Sequence, residues 1–530
     1  MRVPYVLAIL FLAFGASAIA APRYASSELT LNEMLKKHDA AVGVATIAAP
    51  GRIEEWTLTS SGMTGTEHDV YRGKDYRQTL ALGPFLTQRG RYQGDEWEQG
   101  ENGYTLHLSG YHQRTAVNER ALADPSAPES HVSLLGRTES PLSAYVLELA
   151  PADGRKERQF YDSHTFQLVR REAELPGRTL VSTYGDFRVT NGKTEPWRID
   201  QADGHPENDQ HYQLVSKTAP AAISDAEVGV PGTRREVVVF PTGVNHVRLP
   251  ARIDRGRILV RVTIDGRGLD FQLDSGASGI VIDRDVARSL GLELRGRRSQ
   301  TIAGTVQVAR TVIPQVSIGD LTMRGLVVEA LPFHHRADFS TRVVGLLGFD
   351  FLAGGMFKLD YQHGTVDAYR YDTLDLPVGS VSLDAVLDDS VPVIGAKING
   401  VRSDRFVLDT GADDFVIFRS FALANPTAIT DHSNNPILSR YLSSIRAEGV
   451  GGKIDLRGSI LQHVQVGPIR FDDYLAMITT GRNASFEYED IDGLIGSRFL
   501  RAFDVYLDYS NSRVAFVVNE ESKRRSHSAE

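Results

Sequence analysis

Two short acidic loops carry the residues best suited to chemistry in this 530-residue chain. Residues 274–277 read Asp-Ser-Gly-Ala, residues 409–412 read Asp-Thr-Gly-Ala, and an apolar run precedes each loop. If the chain brings Asp274 and Asp409 together, the two carboxyl groups cannot both ionise easily and will share one proton. A pair of this kind can activate a water molecule for hydrolysis, with one carboxylate acting as the base.

The segments around these loops are repeated. Residues 345–348 (Gly-Leu-Leu-Gly) recur as residues 493–496 (Gly-Leu-Ile-Gly), and the Leu-Asp-Tyr of 359–361 recurs at 507–509, both 148 positions later. The two aspartates lie only 135 positions apart, so the second copy holds 13 extra residues. We place them in the polar stretch 426–444, because loops absorb insertions at low cost.

The elements that position the loops can be predicted from turn chemistry. Asp-Gly at 265–266 and Asn-Gly at 399–400 lie nine and ten positions before the aspartates, between apolar runs. Both dipeptides favour tight hairpin turns. Each aspartate is therefore expected to follow the second strand of a hairpin.

The residues next to the aspartates could lock the two loops together. Gly276 and Gly411 have no Cβ, so they would allow a close approach. The hydroxyl groups of Ser275 and Thr410 could form hydrogen bonds to the opposite loop. One such tetrapeptide alone is more often a simple turn, and the argument for chemistry rests on there being two in a repeated context.

Taken together, these motifs resemble the retropepsin-like aspartic peptidases. Residues 408–414 resemble their active-site segment, residues 449–452 (Gly-Val-Gly-Gly) resemble their flap tip, and residues 493–500 resemble the strand-to-helix motif that supports the active loop. The resemblance covers about residues 245 to 519. It implies a mainly β fold with two acid-protease lobes in tandem, which hydrolyses peptide bonds without a cofactor or metal.

The resemblance also implies roles for individual residues. Asp274 and Asp409 would be the catalytic pair. A second group would brace this pair: Ser275, Gly276, Thr410 and Gly411. A third group would contact a peptide or protein substrate: Asp413, Asp414, Gly304, Gly451 and Gly452.

The two copies differ in ways that predict unequal behaviour. The first copy has Ser278 and Gly279 where the second has Asp413 and Asp414. The glycine-rich tip at 449–452 is expected to make the second flap the more mobile one. Pepsins usually carry a hydroxyl residue where this chain has alanine, at positions 277 and 412, and its absence should keep the shared proton bound to higher pH. We therefore expect a mildly acidic pH optimum.

Composition and the first residues indicate the setting. Apolar residues make up 42% of the chain, charged residues 24%, and the net charge of −9 argues against a nucleic-acid partner. Without cysteine there can be no disulfide, thiolate metal site or cysteine nucleophile. Residues 1–20 have the basic start, apolar core and small-residue end of a secretory signal, so we expect an exported protein, periplasmic or extracellular. No later run is long enough for a stable membrane span.

The residues between the signal segment and the protease-like region form a different unit. Residues 27–215, called here the N-terminal domain, show alternating, aromatic-containing stretches that predict an antiparallel β sheet. A helix is expected at 31–41 with Thr30 as its N-cap, and residues 116–140 are expected to be irregular. The pattern from Phe160 to Arg198 resembles periplasmic lipoprotein-carrier proteins, which implies a half-barrel and a possible lipid or lipoprotein ligand. A generic accessory β domain explains it equally well.

The remaining boundaries follow from composition. We expect a linker at 216–244, lobe 1 at 245–373, an inter-lobe connection at 374–389, lobe 2 at 390–519 and a polar tail at 520–530. Besides a peptidase, three accounts stay open. The chain could be a weakly catalytic peptide-binding or lipoprotein-binding protein of the cell envelope, its N-terminal domain could be the main functional part as a lipid carrier, or that domain could be a removable prosegment.

Overall fold

The computed structural model describes residues 24–43, 51–123, 125, 127–175, 178–233, 237–301, 305–333, 340–432, 442, 444–449, 452–481, 491–520 and 522. Several predicted features lie outside these residues: the signal segment 1–20, Gly304, Gly451 and most of the tail. Within the described residues, no helix combines the length and the apolar character needed to cross a membrane.

The chain begins, in its described part, with the predicted helix. Helix α1 spans Leu31–Val42, and Thr30 and Glu33 form a capping box in which each side chain binds the other residue's backbone N–H. Met34 on this helix is fully buried. The prediction of a helix capped by Thr30 is confirmed.

The N-terminal domain is a sheet in which thirteen described strands take part. These strands are β1 (Gly51–Ser60), β2 (Met63–Arg72), β3 (Asp75–Leu82), β4 (Phe85–Tyr92), β5 (Asp95–Gln99), β6 (Thr105–His107), β7 (Val132–Thr138), β8 (Ala144–Leu149), β9 (Glu157–Asp162), β10 (Leu168–Leu175), β11 (Arg178–Thr190), β12 (Lys193–Ala202) and β13 (Gln210–Thr218). Strands β1–β6 and β7–β13 each form a run of antiparallel hairpins, and β1 pairs with β13 to join these two halves. Side chains from both halves pack on Met34 in one core, so the sheet wraps around α1.

The expected irregular segment at 116–140 is partly wrong. Helix α2 spans Gly110–Ala123, a short 3-10 turn follows at Pro128–Ser130, and β7 begins at Val132. The prolines that contributed to the prediction of an irregular segment lie at positions 125 and 128, beyond the end of α2, where proline does not disturb a helix. The residues of α2 itself include several good helix formers.

Two further sheets repeat one topology. The first contains β15 (Ala251–Asp254), β16 (Arg257–Ile264), β17 (Arg267–Leu273), β18 (Ile280–Asp283), β19 (Arg295–Thr301), β20 (Thr305–Ile318), β21 (Leu321–Leu331) and β22 (Val343–Leu347). The second contains β26 (Val386–Asp388), β27 (Val391–Ile398), β28 (Val401–Leu408), β29 (Phe415–Ile417), β30 (Ile445–Gly449), β31 (Gly452–Val466), β32 (Ile469–Thr479) and β33 (Gly493–Ile495). Corresponding strands hold the same place in the two sheets.

A six-stranded sheet joins the two repeats. It is built from β14 (His246–Arg248), β23 (Met356–Asp360), β24 (Thr365–Tyr369), β25 (Val381–Asp384), β34 (Phe503–Asp508) and β35 (Arg513–Val518). The junction is the antiparallel pair β23–β34, which contains both copies of the repeated Leu-Asp segment. The fold among described residues is therefore mainly β, as predicted.

Five short helices follow among the described residues. Helix α3 (Asp225–Val228) lies between the N-terminal sheet and the first repeat, and α4 (Arg284–Ser289), α5 (Phe349–Leu352), α6 (Arg419–Ala424) and α7 (Ser497–Leu500) connect strands of the repeats. The two predicted hairpin turns are confirmed, since Asp265, Gly266, Asn399 and Gly400 all adopt positive φ, from 47° to 89°.

The segments expected to be connections are partly regular structure. Within 216–244, β13 continues to Thr218, and Val228 of α3 is buried against Val70 of the N-terminal sheet. Within 374–389, β25 pairs with β35 and β26 pairs with β27. Both segments are thus attached to the sheets that they connect.

Candidate active site

The two aspartates occupy equivalent places at strand ends. Asp274 follows β17, which runs parallel to β22, and its N–H donates to the carbonyl oxygen of Leu347 at 3.0 Å. Asp409 follows β28, which runs parallel to β33, and its N–H donates to the carbonyl oxygen of Ile495 at 3.0 Å. The repeated Gly-Leu-Leu/Ile-Gly segments therefore hold the two loops.

Ser275 and Thr410 make four hydrogen bonds across the two loops. The Ser275 N–H donates to Thr410 Oγ1 at 2.9 Å, and the Thr410 N–H donates to Ser275 Oγ at 3.0 Å. The Ser275 hydroxyl donates to the carbonyl oxygen of Leu408 at 2.7 Å, and the Thr410 hydroxyl donates to that of Leu273 at 2.9 Å. Ser275 and Thr410 are 1% and 0% exposed, so loss of either hydroxyl would leave buried groups unpaired.

The glycines allow the carboxyl groups to meet. A Cβ atom on Gly276 would lie 2.6 Å from Cγ of Asp409, and one on Gly411 would lie 2.5 Å from Cγ of Asp274. Either side chain would therefore collide with the opposite carboxyl group. The structure brings Asp274 and Asp409 into hydrogen-bond contact with each other.

Burial and proximity change the acidity of this pair. Burial and the adjacent Asp409 raise the pKa of Asp274 well above its ordinary value. Burial also raises the pKa of Asp409, while the N–H groups of Gly411 and Ala412, 2.7 and 3.1 Å from its Oδ1, oppose that rise. The positive charge of Arg257 also opposes the rise in the pKa of both aspartates. The two carboxyl groups therefore titrate as one pair that shares a proton.

The two acidic residues after Asp409 have arginine partners. Arg257 of lobe 1 donates to both oxygens of Asp413 at 2.6 and 2.7 Å, which ties the lobes together beside the loops. Arg498 at the second position of α7 donates to Asp414 at 2.5 Å. The predicted substrate-binding carboxylates thus form ion pairs in this structure, and Asp414 fastens the loop to α7.

The two flap hairpins have different surroundings. In lobe 1, β19 and β20 lie against the N-terminal domain, where the Asn208 amide bonds to both the N–H and the carbonyl oxygen of Ser299, at 2.8 and 3.0 Å. In lobe 2, the β30–β31 hairpin closes with Gly449 paired to Gly452, and the Arg446 and Asp455 side chains are 75% and 53% exposed. Gly304 and Gly451 of the flap tips lie outside the described residues.

Sequence reasoning missed two tyrosines beneath the loops. Tyr509 Oη lies 3.5 Å from the carbonyl oxygen of Ser275, and the Asp274 and Asp409 charges contribute to the raised pKa of this buried phenol. Tyr361 is 8% exposed, and the neighbouring Asp409 adds to the effect of burial on its pKa. The signal was present, because both are the final residue of the repeated Leu-Asp-Tyr segment.

No group of three or more histidine, aspartate or glutamate side chains in the described part of the chain is placed to hold a metal. The arrangement that can do chemistry is the pair of carboxyl groups with one shared proton. It can polarise a carbonyl group and deprotonate a water molecule at the same time.

Comparison with known proteins gives one family and several distant folds. The family described as "Aspartyl protease" matches residues 260–351 and 394–499, two segments that contain both aspartate loops. This match supports a protease-like function. Among curated protein sequences, none matches this chain.

Three solved structures are similar at low identity. An aspartic proteinase from Irpex lacteus is 12% identical, with a TM-score of 0.35, over 52% of this chain and 98% of that chain. A LolA superfamily protein from Nitrosomonas europaea is 16% identical, with a TM-score of 0.29, over 38% and 98%. A DUF1329 family protein from Desulfovibrio piger is 14% identical, with a TM-score of 0.27, over 36% and 95%.

Proposed function

We propose that this chain is an aspartic endopeptidase of the retropepsin-like type, with both halves of its active site in one polypeptide. The observation that carries the proposal is the contact between the carboxyl groups of Asp274 and Asp409, within reciprocal hydrogen bonds between two equivalent loops. The repeated topology of the two eight-stranded sheets supports the tandem arrangement.

The geometry accounts for each step of peptide hydrolysis. The Asp409 carboxylate takes a proton from a water molecule, whose oxygen attacks the carbonyl carbon of the substrate. The Asp274 carboxyl group donates its proton to the carbonyl oxygen, which gives a neutral tetrahedral intermediate. As the C–N bond breaks, Asp409 gives its new proton to the leaving nitrogen and Asp274 takes a proton from a hydroxyl group of the intermediate. The products are a carboxylic acid and an amine, and the pair is back in its starting state with one proton on Asp274. An extended peptide would bind between the lobes by strand-like hydrogen bonds.

Hydrolysis of denatured casein by the purified protein tests this proposal. We expect the wild type to release peptides and both Asp274→Asn and Asp409→Asn to lower the rate by at least about 10³-fold, as loss of an essential catalytic group does. Asp265→Asn is the matched control, because it makes the same substitution in an exposed hairpin turn of lobe 1 and gives the residue type found at 399. Equal rates in wild type and Asp409→Asn would contradict the peptidase proposal and favour a binding protein.

We propose export as the setting, because residues 1–20 have the features of a secretory signal. Expression of the full-length gene followed by cell fractionation and N-terminal sequencing tests this. A mature protein beginning near residue 21 outside the cytoplasm is expected. Retention of Met1 in the soluble cytoplasmic fraction would contradict it.

A cavity favours a second, ligand-binding activity in the N-terminal domain. It encloses about 160 Å³ between that domain's sheet and the β19–β20 hairpin, and its lining includes Leu58, Leu80, Trp97 and Arg310. The mixed apolar and charged lining suits an amphiphile, such as a lipid or a lipoprotein acyl chain. Mass spectrometry of organic extracts of the purified protein tests this, and extracts without any amphiphile would remove the proposal.

A further inference from the structure

The active loops of the two lobes are fastened to their supporting helices by different means. In lobe 2, the ion pair between Asp414 and Arg498 ties the loop to α7. The equivalent residues in lobe 1 are Gly279 and Asp350, so lobe 1 cannot form this pair. A Cβ atom on Gly279 would already lie 3.2 Å from Oδ2 of Asp350, which shows that the Asp350 carboxyl group reaches the loop.

The N-terminal domain supplies the missing partner. The side chain of Asn102, only 8% exposed, lies beside the Asp350 carboxyl group and opposes the rise in its pKa. The same amide donates to the carbonyl oxygen of Val327 and accepts from the Val327 N–H, both at 2.9 Å. Asn102 is therefore fixed on lobe 1 by two hydrogen bonds while its side chain lies beside Asp350.

Tyr104 makes a second contact with the same helix. Its hydroxyl donates to the carbonyl oxygen of Asp350 at 3.2 Å, and its ring meets that of Phe349 edge-on, with centroids 5.3 Å apart. Tyr104 is 5% exposed and belongs to the same hydrophobic core as both lobes. Residues 102–104 of the N-terminal domain thus insert into lobe 1, and we call this segment the wedge.

Both contacted residues lead directly to the catalytic loop. The Asp350 carboxyl group lies beside the N–H of Ile280, and the Phe349 N–H donates to the carbonyl oxygen of Ala277 at 3.0 Å. The Phe349 ring also stacks on Tyr509, the tyrosine beneath Ser275. The wedge is therefore two contacts away from the residues that flank Asp274.

We propose that Asn102 and Tyr104 are positioning residues for the active loop of lobe 1, in place of the ion pair that serves lobe 2. The N-terminal domain is then part of the catalytic apparatus. The proposal rests on the peptidase function above, because the loop in question carries Asp274. A shift of about 1 Å in a reacting group can lower a rate by about 10²-fold, so modest loosening of this loop should be measurable.

Hydrogen exchange tests the positioning without reference to activity. In full-length Asn102→Ala, we expect amide exchange of residues 274–280 to become at least about tenfold faster, with the equivalent loop 409–415 unchanged. Ser109→Ala is the matched control, since the Ser109 hydroxyl donates an interdomain hydrogen bond to the Leu387 carbonyl oxygen, away from α5. Unchanged exchange at 274–280 in Asn102→Ala, or equal acceleration in Ser109→Ala, overturns the proposal.

Kinetics provide the second readout. Misplacement of Asp274 should lower kcat of Asn102→Ala by at least about tenfold and change KM by less than about twofold, because substrate binding is spread over both lobes. Tyr104→Phe keeps the ring on Phe349 and should retain at least about a third of wild-type kcat. A rise in KM with kcat unchanged would overturn the proposal.

The two readouts separate this proposal from the proposed function. If wild type shows no turnover that depends on Asp409, the peptidase function fails, and the exchange comparison alone decides whether the wedge orders the loop. If Asn102→Ala does not fold, Tyr104→Phe is compared with Ser109→Ala by the same exchange measurement. Exchange at 274–280 that is faster in Tyr104→Phe than in Ser109→Ala supports the proposal, and equal exchange overturns it.

Discussion

The acidity of Asp274 and Asp409 depends on a small number of neighbours. Burial and mutual repulsion favour protonation, whereas backbone N–H groups and Arg257 favour the ionised form. Neither loop has a hydroxyl group at position 277 or 412 that would further favour the ionised form. At the scale of single residues, the structure therefore predicts a pair that keeps one proton at mildly acidic pH.

This balance predicts the pH dependence of activity. Since the pKa of Asp274 is raised, the singly protonated pair should persist to higher pH, and kcat/KM should peak under mildly acidic conditions. Ala412→Ser would add a donor that stabilises the carboxylate, so the acidic limb should move down by about half a pH unit. A pH–rate profile of both proteins checks this, and a wild-type peak near pH 2, within the range of the pepsin pair, would contradict it.

From the raised pKa of Asp350 we predict that the free energy of unfolding depends on pH. Burial raises the pKa of Asp350 from its ordinary 3.8 to about 7, and Glu101 and Glu329 add to the rise. The folded chain thus binds this proton more tightly than the unfolded chain, so stability falls as pH rises from about 4 to about 7. Asp350→Asn removes this loss, and the variant should gain about 2 kcal/mol over wild type at pH 8 and little at pH 4.

Denaturant unfolding at the two pH values measures this difference, with Asp265→Asn as the exposed control. A gain for Asp350→Asn of equal size at pH 4 and pH 8 would show that the carboxyl proton is not its source.

At the scale of elements, the two flap hairpins have the same topology and unlike surroundings. The β19–β20 hairpin is covered by the N-terminal domain, with Arg310 bound to Glu101 and Ser299 bound to Glu207. The exposed β30–β31 hairpin ends in glycines. A segment with few buried contacts opens at a low cost in free energy. The β30–β31 hairpin is therefore better suited to move than the β19–β20 hairpin.

Hydrogen exchange of the wild type measures this asymmetry. We expect amides of 295–301 and 305–310 to exchange at least about tenfold more slowly than those of 445–449 and 452–457. Asn208→Ala removes both bonds to the Ser299 backbone and should speed exchange in the first hairpin alone. Similar rates in the two wild-type hairpins would contradict the prediction of a single moving flap.

At the scale of the whole molecule, the N-terminal domain touches both lobes. It meets lobe 1 through the 102–104 wedge and the covered hairpin, and through Ser109 it meets β26, the first strand of the second repeated sheet. His112 lies between Glu98 of its own domain and Asp389. Burial would lower the pKa of His112, but the two carboxylates raise it well above the ordinary value, so the cation persists at neutral pH. These contacts disfavour a prosegment that leaves after one cut.

A nicked protein tests this. A protease site placed at residues 219–222, after β13 ends, would allow the chain to be cut between the N-terminal domain and the lobes. Only non-covalent contacts would then hold the two fragments together. We expect the two fragments to elute together in gel filtration at neutral pH and moderate salt, with activity retained, because Asn102 and Tyr104 are buried in contacts between the two fragments. Separation into a free N-terminal fragment and active lobes would favour the prosegment instead.

Local signals were enough to predict several features. Turn chemistry located the hairpins at 265–266 and 399–400, the capping sequence located α1, and the repeated spacing predicted two similar sheets. The same spacing led to the hypothesis that Asp274 and Asp409 meet. Each of these inferences depends on residue type and on short or periodic spacing, which the chain carries without knowledge of its partners.

Contacts between distant residues were decided by the tertiary structure alone. The pairing of Asp413 with Arg257, the cover over the first flap and the wedge of Asn102 and Tyr104 join positions up to about 250 residues apart. No local pattern encodes such pairs, because each side chain alone resembles any surface polar or aromatic residue. The sequence determined which groups could react, and the packing of one domain on another decided how firmly one of them is held.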